Sequence, residues 1–256
     1  MRRLSVLTFV AGLLVAALAA TAQADSAKTW HVKVTNLTAG PLATSGQPMS
    51  PPLWAVHDKK LDVWSVGELA SSGVLPIVED ALNTPLQSYL SSNRHVREAK
   101  TETGSPAGPI PPGGFREFDI TSKGDDTYLS MLWMLVRTND GFTGLDSYKL
   151  DGDYGSRKGK GKGKGKGKGK GKGKGKTKRS GKGKTKTKTL LLRAYDGGTE
   201  NNNQSCAFIP GPPCGSFFVR EPTAQAIAPH PGITGGDIAA FAWTNPVAKV
   251  TITRTK

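Results

Sequence analysis

Apolar and polar residues alternate through Trp30-His31-Val32-Lys33-Val34-Thr35, the two-residue period of a strand with one face buried. Further strand candidates follow at Pro51 to Asp58, Phe115 to Ile120, Tyr128 to Val136, Leu190 to Ala194 and Val247 to Arg254. From Gly73 to Ser92 the period changes. Val74, Ile77, Val78, Ala81 and Leu82 fall on one helical face, and Leu86, Tyr89 and Leu90 lie beyond a break at Pro85. Thr101 to Gly114, rich in Pro and Gly, reads as a connector. The pattern predicts a mainly β fold, a sandwich of antiparallel sheets with a short helical insertion.

Two stretches stand outside this pattern. Arg2-Arg3 precede an apolar run from Leu4 to Ala20, and Ala22-Gln23-Ala24 presents small residues of the kind a signal peptidase reads. Residues 1–24 are therefore expected to be a signal peptide, with the mature chain beginning at Asp25. No later segment has the ~18 uninterrupted apolar residues that a membrane helix needs. The expectation is an exported protein without a transmembrane segment, periplasmic, at the cell surface or secreted. Cys206 and Cys214 bracket a Pro/Gly-rich loop and, in an oxidising compartment, are expected to form a disulfide. Asn36-Leu37-Thr38 fits a glycosylation acceptor, which matters only in a eukaryotic secretory route.

The second stretch is a Lys-Gly repeat. The net charge of +15 suggests a nucleic-acid binder, yet Arg157 to Lys188 holds 17 of the 35 basic residues and no acid. The remainder carries 18 basic against 20 acidic residues, or 16 against 20 without Arg2 and Arg3. Basicity is thus a property of this segment and not of the fold. Alternating Gly and Lys has maximal backbone entropy, repels itself and buries nothing, so residues 157–189 are expected to be a disordered loop within one domain spanning 25–256. Lys158, Lys160, Lys162, Lys164, Lys166, Lys168, Lys170, Lys172, Lys174 and Lys176 are candidate contacts for polyanions such as lipopolysaccharide, acidic polysaccharide or DNA without sequence preference. The other reading is an expansion tolerated at a loop tip, because long surface loops cost little to close.

Two acidic turn motifs flank the repeat, Thr138-Asn139-Asp140-Gly141-Phe142-Thr143-Gly144-Leu145-Asp146 and Tyr195-Asp196-Gly197-Gly198-Thr199-Glu200. Each follows an apolar strand candidate, so their carboxylates are expected where strands end. Strand-end loops offer the carboxylates and free carbonyls that a hard cation such as calcium requires. Asp and Gly are also ordinary turn residues.

Taken in order, Pro51-Pro52-Leu53-Trp54-Ala55-Val56-His57-Asp58, the motif from Leu135 to Asp146, Tyr195 to Glu200, His230-Pro231-Gly232-Ile233 and Asn245 to Arg254 resemble the spondin N-terminal domain. The likeness runs over nearly the whole mature chain outside the repeat. It implies a C2-like β-sandwich that binds one Ca2+ at its loop end, in extracellular-matrix or recognition proteins. The family's acidic ligands would fall on Asp140, Asp196 and Glu200; Glu200 stands where animal members tend to carry Asp, and Asp146 reads as structural. The repeat, lying between the two turns, is expected at the same end of the sandwich as the ion.

The resemblance implies a secreted, non-enzymatic binding or adhesion module of the envelope or extracellular matrix. The alternative is a metal-dependent envelope hydrolase, with His57 and Asp58 near His230 as acid–base machinery. Against it, the four histidines are scattered and the chain has no Gly-x-Ser-x-Gly elbow, His-Glu-x-x-His helix or phosphate loop. Asp151-Gly-Asp153 resembles the start of a calcium loop but lacks its later acids, and reads as the root of the repeat.

Overall fold

The computed structural model describes residues 26–39, 45–151 and 186–256. The expected leader and Lys158 to Lys176 lie outside the described residues. In chain order the elements are β1 (Lys28–Asn36), β2 (Leu53–His57), α1 (Leu75–Asp80), α2 (Thr84–Ser92), β3 (Val96–Thr101), β4 (Phe115–Ser122), β5 (Tyr128–Met134), β6 (Gly141–Lys149), β7 (Thr187–Leu192), β8 (Tyr195–Asp196), β9 (Ala228–Pro229) and β10 (Ala248–Arg254). They form two antiparallel sheets, ordered β4-β1-β10-β7 and β3-β2-β5-β6-β8-β9. The fold is mainly β and fits a β-sandwich, as the hydrophobic pattern predicted. Among the described residues no helix is long and apolar enough to cross a membrane.

The alternation in β1 is used as expected. Trp30, Val32 and Val34 enter the core with Val250 and Ile252 of β10 and Phe118 and Ile120 of β4. β2 and β5 instead bury both faces. Trp54, Val56, Leu129, Met131 and Trp133 fill the space between the sheets. Leu53, Ala55 and Leu132 face a second apolar cluster beneath α1, α2 and the loop carrying Leu61, Val63 and Trp64. A strand covered on both sides gains from apolar residues on both faces, which is why Tyr128 to Met134 is interrupted only by Ser130, itself buried and bonded to His57 at 2.8 Å.

Several expected boundaries shift. The helical stretch splits at Ala81, which takes a left-handed φ of +58° and closes α1, while Pro85 sits in the first turn of α2 where its missing N–H costs nothing. Leu82 and Tyr89 are exposed and not part of the buried face. Most of the first acidic motif is strand: Gly141 to Lys149 pairs with β5 as the second arm of a hairpin. Thr187, Lys188 and Thr189, expected within the disordered loop, pair with Thr253, Ile252 and Thr251. Asn36 is no surface acceptor either; it is buried and donates to the carbonyls of Gln47 and Ile110 at 2.7 and 3.0 Å.

The largest correction is topological. β6 leads away from Asp140 for nine residues, roughly 30 Å of extended chain, and the six residues of β7, roughly 20 Å, lead back toward Asp196. The repeat is therefore rooted at the pole opposite the acidic turns. Its roots are fastened there, Asp151 to Lys28 at 2.8 Å and the Lys186 carbonyl to the Arg254 N–H at 3.0 Å.

Candidate functional site: a buried carboxylate between two turns

At the far pole the β5–β6 turn is closed by Thr138, whose hydroxyl donates to the Leu135 carbonyl at 2.6 Å and accepts from the Gly141 N–H at 2.8 Å. Gly141 is required by space. A Cβ there would lie 2.6 Å from the Thr138 Oγ1 and 3.1 Å from the His230 ring. This turn drives Asp140 into full burial.

The second turn wraps the Asp140 carboxylate. Oδ2 accepts from the Thr199 N–H at 2.7 Å, the Glu200 N–H at 3.0 Å and the Thr199 hydroxyl at 3.2 Å, and the Asp140 carbonyl accepts from the Gly197 N–H at 3.1 Å. Asp196 shapes that turn by accepting from the Gly198 N–H at 2.7 Å on Oδ1 and from Asn202 on Oδ2. Gly198 has a φ of +68°, and a Cβ on it would meet the Gln225 carbonyl oxygen at 2.3 Å. The two turns singled out in the sequence thus meet directly.

Their charges are crowded. Asp140 Oδ1 is buried and has no hydrogen-bond partner. Burial, with the nearby Asp196 charge, pushes the Asp140 carboxyl up to about 7. Glu200, also buried, accepts from the Glu221 N–H at 3.2 Å; burial and then the neighbouring Glu79 raise it to about 8. A carboxylate cluster in these surroundings is stabilised by protons or by a cation. Among the described residues, however, no group of three or more His, Cys, Asp or Glu side chains is gathered so that it could hold a metal ion as it stands.

Sequence reasoning missed the next layer. Glu79 and Asp80, buried at the end of α1, are bound by the Arg220 guanidinium, and Asp80 also accepts from the Phe218 N–H at 2.8 Å. Acids in a last helical turn oppose the helix dipole, so their position was a legible signal that another cation serves them. Arg220 lies six residues beyond the loop closed by the Cys206–Cys214 disulfide, whose Cα atoms are 4.7 Å apart. Between the disulfide and Arg220 the chain exposes Phe217, Phe218 and Val219.

The other candidates separate. Asp146 accepts from the Ser65 hydroxyl at 3.2 Å on the outer surface and takes no part in the turn contacts. His57 lies at the repeat's pole, held to Ser130 Oγ at 2.8 Å and to the Asp58 carbonyl at 2.7 Å. His230 lies at the acidic pole, so the pairing of His57 and Asp58 with His230 does not form. Its Nδ1 accepts from the Gly232 N–H at 2.9 Å, its buried Nε2 has no partner, and burial lowers its pKa to about 4.

No protein-family model matches the chain, and a search of curated proteins finds no match.

Proposed function

We propose that this chain is an exported, calcium-stabilised, non-enzymatic binding module of the cell envelope or extracellular matrix, of the spondin-like kind its sequence resembles. The observation that carries the reading is Asp140, whose Oδ1 is buried and unpartnered beside Asp196 and Glu200. The donors fit a hard cation in charge and type, being carboxylate oxygens on strand-end turns. Asp140 would contribute Oδ1 while Oδ2 keeps the second turn in place. Asp196 would share oxygens already engaged by Gly198 and Asn202, and Glu200 would turn from the Glu221 N–H. Bound there, calcium would supply the positive charge these acids lack.

The Lys-rich segment adds the second half of the proposal, salt-sensitive attachment to surface polyanions such as lipopolysaccharide or acidic polysaccharide. Its roots at the opposite pole support a division of labour, with anchorage at one end and the ion-bound turns presented at the other.

Thermal unfolding of the exported protein tests the ion site. Calcium should raise the melting temperature, a chelator should reverse the rise, and Asp196→Asn should blunt it, because an ion that binds only the native fold stabilises it by mass action. Superimposed curves with calcium and with chelator would overturn the site.

A further inference from the structure

Three turns meet at the pole opposite Asp140: Asp58 to Lys60 after β2, Gly124 to Thr127 between β4 and β5, and Lys149 at the end of β6. They enclose a cavity of about 270 Å³ lined by Lys59, Lys60, Lys149, Tyr128, Asp58 and Asp125. Among the described residues none of the three lysines takes part in a salt bridge. Lys149 instead holds its Nζ 6.0 Å from the centre of the Tyr128 ring. Asp58 is committed within the wall: it accepts from the Lys60 N–H at 2.7 Å and pairs with His95 at 2.8 Å, which sets the turn that presents Lys59 and Lys60.

We propose that this cavity binds an acidic sugar residue, a uronate-type unit of an anionic polysaccharide. Its carboxylate would take charge-assisted hydrogen bonds from the unpaired lysines, its ring would pack on Tyr128, and its hydroxyls would donate to the exposed Asp125. The mixed lining decides the class. Inorganic phosphate would meet Asp125 only as repulsion, whereas a sugar acid offsets the repulsion on its single negative charge with hydroxyls that donate to that carboxylate. The inference rests on the polyanion reading for the kind of ligand alone, and it places a contact on the folded body, independent of Lys158 to Lys176 and of the ion site.

The test uses the full chain and a probe too short to collect many lysines, a trimer of galacturonic acid, with affinity measured by calorimetry. Lys59→Gln with Lys149→Gln should weaken binding by about tenfold or more, the size of lost charge-assisted hydrogen bonds. Tyr128→Leu should weaken it at an unchanged melting temperature, and the trimer's methyl ester should bind about tenfold more weakly than the acid. Lys172→Gln with Lys174→Gln removes the same charge from the repeat and should leave affinity within about twofold. Absent binding, equal losses for the cavity and repeat variants, or displacement by inorganic phosphate as readily as by unlabelled trimer would overturn the proposal. Loss of long-polymer binding in a repeat variant with trimer binding intact would assign the long polymer to the repeat and the single sugar acid to the cavity, as proposed.

Discussion

The buried carboxylate of Asp140 takes the backbone N–H of Thr199 at 2.7 Å across 59 residues of chain. One oxygen of this side chain organises the second turn, while the other, Oδ1, is left without a partner. Two roles of a single residue can therefore be separated by substitution.

Asp140→Ala would leave the Thr199 and Glu200 N–H groups buried and unmet, at a cost of about 2–4 kcal/mol in urea unfolding. Asp140→Asn keeps an acceptor oxygen and removes the crowded charge, so stability in chelator should be nearly retained while the calcium response is largely lost. If the Asn variant keeps the full calcium shift, Asp140 is a turn anchor and not a ligand.

The acidic pole also dictates a pH dependence. Asp140 at about 7 and Glu200 at about 8 hold protons in the folded state that an unfolded carboxyl has released. The native state is then the more protonated, and stability falls as pH rises through that range. His230, lowered to about 4, opposes this below the ordinary imidazole range, where the unfolded chain binds its proton more readily. Between about pH 6.5 and 8 the carboxylates act without that opposition. The melting temperature in chelator should decline across this window, and Glu200→Gln should flatten the decline. A rising wild-type curve there would contradict the buried-acid arrangement.

Arg220 binds the buried acids Glu79 and Asp80. Arg220→Met should cost about 3–5 kcal/mol, because removing one partner strands buried charge. Adding Glu79→Gln to that variant should recover part of the loss. Equilibrium unfolding of the two variants checks this, and a loss below about 1 kcal/mol for the single change would show the ion pairs to be energetically marginal.

Excising residues 158–184 removes most of the Lys-rich segment without touching β7. The melting temperature and its calcium shift should be nearly unchanged, since the roots of the excised stretch lie a full strand length from Asp140. Retention on an anionic matrix should drop to lower salt, as fewer counterions are released. A calcium shift abolished by the excision would mean that the segment reaches the acidic pole.

β1 and β10 declare themselves because one face meets core and the other solvent, and the doubly covered β5 announces itself by losing that alternation. β6 escaped notice because Asn-Asp-Gly and the second glycine look like turn chemistry. In the fold Gly144 is a strand residue, where a Cβ would lie 2.0 Å from the Met131 carbonyl oxygen, so that glycine records close backbone approach and not a bend. Glu79 and Asp80 were hidden for a related reason: their partner, Arg220, is about 140 residues away, and nothing in their own neighbourhood names it.

The amino-acid sequence determined the β class, the split between a basic segment and a mildly acidic body, the close cysteine pair and the two acidic turns, because period, composition and turn chemistry act over a few neighbouring residues. Tertiary structure decided that Asp140 is enclosed by the turn after Asp196, that Arg220 serves α1, and that the repeat is rooted at the opposite pole. Those outcomes depend on the direction in which β6 and β7 run and on which strands pair, and antiparallel pairing over long separations is settled by the packing of the whole chain.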